Sequence, residues 1–432
     1  MDAGIALDRS AALKNGEPGE LSGLSLYVHI PFCETKCHYC DFNTYAGIES
    51  LIPGYVDALQ TEIHAWGDGL GRPTVSTIFF GGGTPSYVPV AGIEAICTAI
   101  WKAFDVDPDA EVTLESNPGD FSRRELTQYL SAGFNRLSIG VQSLDDGLLT
   151  SLSRRHDADT AIAAYNSARD AGFDNVNLDL MFGLPGQTDG QWRSTLERAI
   201  DLRPEHLSLY ALTLEPGTPL EAAVRRGEAD EPDPDLAAEM YLHAEDALKS
   251  AGFDHYEISN WSLPNRESRH NLAYWLNRPY LGVGPGAHSY LPDRLGAPRT
   301  GHHGGRRFAA LRSPRRYVEI LNGPLPPGDP VVALASVELI ESVEPVTYAT
   351  ELADTMMMGL RLSRGVRADE FRDRFSATLS EAFGPLTADM IEAGLLVSDE
   401  DGIRLSDHGR LLGNEVFERF VTASADVKVP GD

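Results

Sequence analysis

The sequence predicts an α/β protein, built as a partial parallel (β/α) barrel followed by a mainly helical C-terminal domain. Three observations carry this prediction. Strand-like and helix-like segments alternate through the middle of the chain. The tripeptide Ala-Gly-Phe occurs three times, each time between a helix-like segment and a strand-like one. Beyond about residue 293 the alternation stops, and the pattern becomes mostly helical.

Six segments are strand candidates, and many of them are apolar or β-branched on both faces, as expected of buried parallel strands. They cover 24–30, 75–80, 111–116, 135–140, 175–180 and 206–212. Amphipathic patterns predict helices at 53–66, 92–104, 122–132, 158–171, 189–202 and 235–251. The Ala-Gly-Phe junctions at 132–134, 171–173 and 251–253 place glycine where a helix ends in the left-handed conformation. In such a fold the functional side chains lie at the C-terminal ends of the strands.

The chain divides into four predicted parts. Residues 1–22 are a loose tail, 23–293 the barrel domain, 294–316 a basic linker with seven arginines, and 317–432 a helical domain with a winged-helix-like end. Residues 366–432 hold 7 Lys and Arg against 14 Asp and Glu, so this end repels phosphate. A packing or lid role is predicted for it rather than DNA binding.

Composition limits the classes of function. The chain has 36 Lys and Arg against 64 Asp and Glu, a formal net charge of -28, which argues against a general affinity for nucleic acid or anionic lipid. No run of 18 apolar residues occurs, and the N-terminus lacks the apolar stretch of a secretory leader. Four cysteines in 432 residues do not make a disulfide scaffold. The predicted location is the cytoplasm.

Three of the four cysteines fall within eight residues. Cys33, Cys37 and Cys40 form C-x3-C-x2-C directly after the first predicted strand. A zinc ion would need a fourth ligand, for which His38 is a candidate in a strained position. Three thiolates suit a 4Fe-4S cluster with one open iron. Three structural thiols are the remaining interpretation, and Cys97 is predicted to be a small apolar core residue.

This cysteine motif, followed by "GGGTPS" (81–86) after the second strand, resembles radical S-adenosylmethionine (radical SAM) proteins. The resemblance implies a radical SAM type of barrel with a 4Fe-4S cluster on the three cysteines. It also implies that the open iron chelates S-adenosylmethionine, that the glycine motif holds the methionine amino group, and that an electron cleaves the sulfonium to a 5′-deoxyadenosyl radical.

The motifs "LYVHIPFCETKCHYCDFN", "FFGGGTPS", "ESNP", "NRLSIGVQS", "NLDLMFGLPGQT" and "LGVGPGAHSY" occur in an order that resembles the oxygen-independent coproporphyrinogen III oxidase family. Positions that match cofactor contacts of the family are implied to bind S-adenosylmethionine. These positions are Tyr27, Tyr39, Gly82, Gly83, Thr84, Glu115, Gln142, Arg154 and Asp179.

The family has two main branches, a decarboxylase of coproporphyrinogen III and the HemW-type haem chaperones. The decarboxylase branch has a cysteine where this chain has Phe42. The chaperone branch carries H-N-x-x-Y-W, which fits His270, Asn271, Tyr274 and Trp275. The resemblance therefore implies a haem chaperone without coproporphyrinogen oxidase activity, with these four residues binding haem and His270 as a candidate iron ligand.

Three alternatives stay open at this point. One is an oxygen-independent coproporphyrinogen III dehydrogenase of porphyrin biosynthesis, and another is a radical enzyme with a different substrate. In the third, arginines of 294–316 meet haem propionates and His302 or His303 ligates the iron. The implied partners are haem, haem-accepting proteins such as respiratory haem enzymes, and a flavodoxin- or ferredoxin-type reductant. A transient place at the inner face of the membrane is also implied.

Overall fold

The computed structural model describes residues 23–296, 304–425 and 427. Six consecutive parallel strands form the centre of one sheet, and each pairs with the next in sequence. Their bounds are β1 (Leu24–Ile30), β2 (Thr74–Gly82), β3 (Asp105–Ser116), β4 (Arg136–Gln142), β5 (Val176–Phe182) and β6 (His206–Ala211). The six predicted strands are all present, and the sheet ends in free edges, so the barrel is partial.

Helices connect these strands, as predicted for β/α units. They are α1 (Ile52–Leu70), α2 (Val90–Ala103), α3 (Arg123–Ser131), α4 (Asp146–Ser151), α5 (Ala158–Ala171), α6 (Asp189–Asp201), α7 (Pro219–Arg225) and α8 (Pro234–Ser250). The predicted helix ends are confirmed: Gly133, Gly172 and Gly252 have φ of 105°, 110° and 87°. The phenylalanine after each glycine is buried and covers the helix end.

Six further strands extend the sheet on both sides, in the described part of the chain. The hairpin of β7 (Asp254–Glu257) and β8 (Asn260–Ser262) adds antiparallel to β6. On the other side β9 (Tyr280–Val283) pairs parallel with β1, and β10 (His288–Leu291), β11 (Arg306–Ala310) and β12 (Ile340–Pro345) follow antiparallel. Between them lie α9 (Arg269–Trp275), α10 (Pro314–Leu321) and α11 (Pro330–Ser336).

The prediction of an irregular linker over 294–316 needs correction. β11 and the first turn of α10 lie inside that range, and Phe308 of β11 is buried in the main core. The sheet therefore continues to residue 345, well past the predicted boundary at 293. His302 and His303 lie outside the described residues, as does the predicted tail 1–22.

The two faces of the central strands differ in polarity. In β1, Leu26 and Val28 belong to the main hydrophobic core, which they share with α1 and α2. The alternate residues Tyr27 and His29 point the other way, and the Tyr27 hydroxyl lies 3.0 Å from His29 Nδ1. The expectation of apolar or β-branched residues on both faces therefore fails for β1, whereas Thr77 and Phe79 on the inner face of β2 agree with it. The outer face packs against the helices, whereas the inner face lines a polar lumen.

The residues from 346 onward, here called the C-terminal unit, have a hydrophobic core of their own. Its helices are α12 (Tyr348–Gly359), α13 (Ala368–Phe375), α14 (Leu379–Glu392), α15 (Asp407–Leu411) and α16 (Gly413–Ser424). A small antiparallel sheet joins β13 (Val366–Arg367), β15 (Gly402–Leu405) and β14 (Leu396–Ser398). Within the described residues, no helix combines the length and the apolar composition needed to cross a bilayer.

Candidate cofactor site at the barrel mouth

The cysteine loop, residues 31–43, leaves the C-terminal end of β1 and lies over the mouth of the barrel. Its base is closed by two backbone hydrogen bonds: Cys33 N–H donates to Tyr45 O at 3.0 Å, and Tyr45 N–H donates to Pro31 O at 2.8 Å. Lys36 Nζ donates to Phe42 O at 3.1 Å and so connects the middle of the loop to its end. Cys33, Cys37 and Cys40 are free thiols of intermediate exposure, so one short loop presents three sulfur atoms at the mouth.

The glycine motif, residues 81–86, packs its backbone against this loop. Gly83 N–H donates to Ile30 O at 2.7 Å, and Thr84 N–H donates to Phe32 O at 2.8 Å. A Cβ atom on Gly83 would lie 2.6 Å from Phe32 O and 3.1 Å from Cys33 Sγ. Only glycine fits here, because any side chain would push the cysteine loop away.

Two polar side chains connect the glycine motif to the thiols. Thr84 Oγ1 donates to Cys33 Sγ at 3.6 Å, and Asn117 Nδ2 donates to Thr84 Oγ1 at 2.8 Å. Asn117 follows β3 in the "ESNP" motif, where parallel strands end at the same edge. The sequence prediction missed Asn117, although its place just after a strand end was the signal that could have found it.

Arg154 brings a buried positive charge to the same place. Its guanidinium donates to Cys37 Sγ at 3.5 Å, to Asn117 Oδ1 at 2.6 Å and to Gly140 O at 2.7 Å. Its Nε has no hydrogen-bond partner among the described residues although it is buried. The guanidinium therefore keeps one donor for an anionic ligand.

Two carboxyl groups lie deeper in the lumen. Glu115 accepts a hydrogen bond from Gly82 N–H at 3.1 Å, and Asp179 accepts from Ser138 Oγ and Asn177 Nδ2, each at 2.9 Å. Burial, reinforced by the charge of Asp179, raises the pKa of Glu115 to about 8. Burial also raises the pKa of Asp179. The carboxyl oxygens of Glu115 and Asp179 face the lumen beneath the glycine motif, where they can accept hydrogen bonds from hydroxyl groups.

The nine predicted S-adenosylmethionine residues lie in β1 to β5 or in the segments that follow these strands. Tyr27 lies on the inner face of β1. Burial raises the pKa of its hydroxyl, and the charge of Glu115 raises that pKa further. Tyr39 lies beside Arg154 and Cys37, and burial raises its pKa. Gln142 ends β4 with φ of 66°, at an irregularity in the pairing with β5, and its amide lies near Gly140. A narrow cleft of about 20 Å3, lined by Cys37, Thr84, Asn117 and Arg154, reaches two of the nine, Thr84 and Arg154.

The residues at the mouth fit an iron–sulfur cluster and a zwitterionic cofactor. Soft sulfur donors from one loop suit iron, and the buried glycine surface leaves close access to backbone groups. The zinc interpretation relied on His38, whose Nδ1 instead lies 2.7 Å from Ser153 Oγ. No three His, Cys, Asp or Glu side chains of the described chain are grouped to hold a single metal ion. Cys97 is 3% exposed within α2, in the core as predicted.

The H-N-x-x-Y-W segment forms α9 at the other end of the barrel. His270 is 1% exposed, with Nδ1 2.8 Å from Thr77 Oγ1 and Nε2 2.9 Å from the Tyr274 hydroxyl. Thr77 precedes Gly82 by five residues along β2, a separation of about 17 Å at the rise of a strand. Glu111, which pairs with Thr77 in register, accepts the backbone N–H of His270 at 2.9 Å. α9 therefore closes the end of the lumen opposite the cysteine loop.

This position gives no support to His270 as a haem iron ligand. Both ring nitrogens are engaged, and burial, with the nearby charge of Arg136, lowers the pKa of His270 to about 3. Iron ligation would require one of the two hydrogen bonds to break and α9 to leave its place. Trp275, at the end of the motif, faces the C-terminal unit, where the Arg361 guanidinium lies 4.4 Å from its ring centroid.

Comparison with known proteins matches both parts of the chain. One family model, described as the Radical SAM superfamily, matches residues 27–199, and another, described as the HemN C-terminal domain, matches residues 346–412. The first match implies a 4Fe-4S cluster and S-adenosylmethionine. The structure of coproporphyrinogen III oxidase (HemN) from Escherichia coli superposes with a TM-score of 0.76 over 94% of this chain and 91% of that one. At 24% identity this likeness shows the fold, and the predicted fold class is confirmed.

Curated relatives align over most of their length. The heme chaperone HemW of Bacillus subtilis (strain 168) is 35% identical over 398 residues, which are 92% of this chain and 99% of the relative. The heme chaperone HemW of Mycobacterium tuberculosis (strain ATCC 25618 / H37Rv) is 36% identical over 94% of this chain and 98% of its own. The mitochondrial radical S-adenosyl methionine domain-containing protein 1 of Mus musculus is 38% identical over 89% and 84%.

Proposed function

The chain belongs to the HemW family of radical SAM proteins, and on this premise we propose that it is a haem chaperone that binds haem and transfers it to acceptor proteins. The observation that carries the proposal is the similarity to relatives named heme chaperone HemW, which extends through both the barrel and the C-terminal unit. The proposed acceptors are haem-dependent proteins such as respiratory enzymes, and the proposed place of action is the cytoplasm, with transient contact at the inner face of the membrane.

The proposal assigns the mouth of the barrel to the cluster and its cofactor. Cys33, Cys37 and Cys40 would hold three irons of a 4Fe-4S cluster, which with S-adenosylmethionine supplies one-electron cleavage when both are bound. The buried Arg154 has a free Nε–H for a carboxylate, and its charge is held in place by Asn117 and Gly140. Glu115 and Asp179 offer carboxyl oxygens to hydroxyl groups from beneath. A flavodoxin- or ferredoxin-type protein is the proposed reductant.

The second candidate function is oxygen-independent decarboxylation of coproporphyrinogen III. Phe42 argues against it, since the decarboxylase branch has a cysteine there. Its ring is 64% exposed at the end of the cysteine loop, and it can neither carry a thiolate nor bond a propionate. Hydrogen abstraction needs the substrate carbon in near contact with the radical carbon, and a small misplacement costs large factors in rate.

The test is anaerobic. The protein is reconstituted with iron and sulfide and titrated with haemin, with and without S-adenosylmethionine. Stoichiometric binding and transfer to an apo-acceptor such as apomyoglobin are expected. Separately, coproporphyrinogen III is added with S-adenosylmethionine and a reductant, and the porphyrins are separated after oxidation. Absence of haemin binding would overturn the chaperone proposal, and protoporphyrin formed over many turnovers would replace it with the decarboxylase.

A further inference from the structure

A second cleft lies far from the cysteines in sequence, where the barrel meets the C-terminal unit. It has a volume of about 620 Å3, within the usual range of cofactor sites. One wall is formed by the ends of β5 and β6, the start of α8 and the turn between β7 and β8. The other is formed by α15 and the start of α16. We call it the seam cleft, and the residues used below are Leu212, Ala238, Ile258, Arg361, Arg410 and Leu412.

The walls of the seam cleft are mainly apolar. Leu412 and its neighbour Leu411 are 39% and 38% exposed, an unusual degree for leucines at the junction of two packed units. Across from them Leu212 and Ala238, both half-buried, present aliphatic surface from the barrel side, whereas Leu209 contributes little because it is 2% exposed. Apolar walls on both sides of a gap suit a flat apolar ligand, because each ligand face would then leave water.

Two arginines border the cleft at one place, on either side of Ile258. Arg361 O accepts the Ile258 N–H at 3.1 Å, and Ile258 O accepts the Tyr241 hydroxyl at 2.9 Å. Arg410 lies against Tyr241. Burial raises the pKa of the Tyr241 hydroxyl, and the charge of Arg410 offsets part of that rise. Arg410 pairs with Glu245 at 2.5 Å and with Asp407 at 2.8 Å, and the Arg361 guanidinium lies 3.8 Å from Glu257. The Nε–H of each arginine is nevertheless buried without a partner among the described residues.

The start of α16 adds further donors to the same cleft. The residues 412–415 line it, and no side chain caps the N-terminus of this 12-residue helix. Within the described residues the N–H groups of Leu412 and Glu415 already donate to Gly409 O and Leu412 O, which leaves those of Gly413 and Asn414. Free N–H groups and the positive end of a helix dipole favour a carboxylate. The acidic residues on the rim are already compensated: Asp233 caps α8, and Glu415 pairs with Arg419 at 3.1 Å.

From this arrangement we propose that the seam cleft binds haem, with the macrocycle between its apolar walls and the propionates at Arg361, Arg410 and the start of α16. This inference rests on the proposed function and supplies it with a site. Arginine pairs well with carboxylates.

The described residues that line the cleft include no histidine, cysteine or methionine, and the one tyrosine, Tyr241, is 7% exposed with its hydroxyl donated to Ile258 O. Haem bound there is held by its faces and its propionates rather than by a strong axial bond from the wall. Release to an acceptor then requires no such bond to break. The seam position also means that a small movement of the C-terminal unit widens the exit.

The test compares haemin with haemin dimethyl ester, which lacks the propionate charges. Equilibrium affinities are measured on reconstituted protein for the parent, for the double variant Arg361→Gln/Arg410→Gln, and for Ala238→Trp, which fills the cleft from the exposed side of α8. Arg225→Gln is the matched control, because Arg225 is 72% exposed on α7, outside the cleft. Iron content and circular dichroism are recorded for every variant.

The double variant is expected to bind haemin at least about tenfold more weakly and the ester nearly as the parent does, since one lost charge pair accounts for a factor of that size. Ala238→Trp is expected to weaken both ligands, and Arg225→Gln neither. Haemin affinity equal to the parent in Ala238→Trp and in the double variant would overturn the seam cleft while leaving the chaperone proposal intact. A parent that binds no haemin would overturn both.

Discussion

Replacement of Gly83 by alanine tests how the glycine motif supports the cysteine loop. Gly83 has no positive φ, so alanine causes no backbone strain, and the effect comes from the added methyl group alone. That group would lie 2.6 Å from Phe32 O and 2.9 Å from Ile30 O, where ordinary contact begins at 3.4 Å. The loop therefore has to move by about 0.8 Å, away from the hydrogen bond that Gly83 N–H makes with Ile30 O.

A displacement of this size has two expected consequences. Overpacking of a well-packed contact costs typically about 1–3 kcal/mol, so the free energy of unfolding should fall by that amount. The displaced loop also carries Cys33, whose Sγ lies 3.1 Å from the new methyl group. We therefore expect anaerobic reconstitution of Gly83→Ala to incorporate less than half of the iron and sulfide that the parent incorporates.

The assay measures iron, sulfide and cluster absorbance per chain, and denaturant unfolding of the unreconstituted protein. Gly190→Ala is the matched control, because no atom lies within 4 Å of its added Cβ and its φ is not positive. The control should load its cluster fully and unfold at equal or slightly higher denaturant concentration. Full cluster loading and unchanged unfolding in Gly83→Ala would refute the argument from contact distances.

Three further outcomes are expected. Cys37→Ser should lose the 4Fe-4S cluster, whereas Cys97→Ser, buried in α2, should keep full iron loading; a loaded Cys37→Ser would contradict the ligand assignment. Folding raises the pKa of Glu115 to about 8, so the folded state keeps a proton that the unfolded state releases. Between about pH 4.5 and 8 the free energy of unfolding should therefore fall as pH rises, by up to ~1.4 kcal/mol per pH unit. Denaturant unfolding of Glu115→Gln should show a flatter dependence, and an unchanged slope would disprove this account of Glu115. His270→Ala should unfold at lower denaturant concentration, since it leaves Thr77 and Tyr274 without their partner, yet bind haemin as the parent does; a tenfold loss of haemin affinity in a folded variant would restore His270 as a ligand.

The sequence predicted the central strands closely, because each is a short apolar run with a clear end. It missed the first half of β3, where three aspartates alternate with Val106 and Pro108 and only Asp105 and Val106 pair with the start of β2. It also missed β11, because its two arginines, Arg306 and Arg307, hide the short apolar pattern of the buried Phe308 and Ala310. Strands that are fixed by their neighbours rather than by their own pattern leave little signal in the chain.

For the candidate site, the motifs identified the residue types but not their orientation. The contact between Arg154 and Cys37 joins positions 117 residues apart, and nothing in the periodicity of either segment predicts it. The same limit applies to the prediction of His270 as a haem ligand. The motif indicated chemistry suited to haem, but in the fold the His270 ring lies in the lumen with both nitrogens engaged. The seam cleft could not be predicted from sequence, because it exists only where two distant segments pack together.

The main hydrophobic core lies outside the sheet, between the strands and their helices, and this has a consequence for how such a barrel can change. Side chains in the lumen, such as Ser138 and Asp179, contribute little apolar burial, so exchanging them alters recognition at modest thermodynamic expense. Side chains one position away, such as Leu137 and Leu178, are fully buried and tolerate few substitutes. Adjacent codons thus evolve under different pressures, and a scaffold of this kind can acquire a new ligand while it keeps its fold.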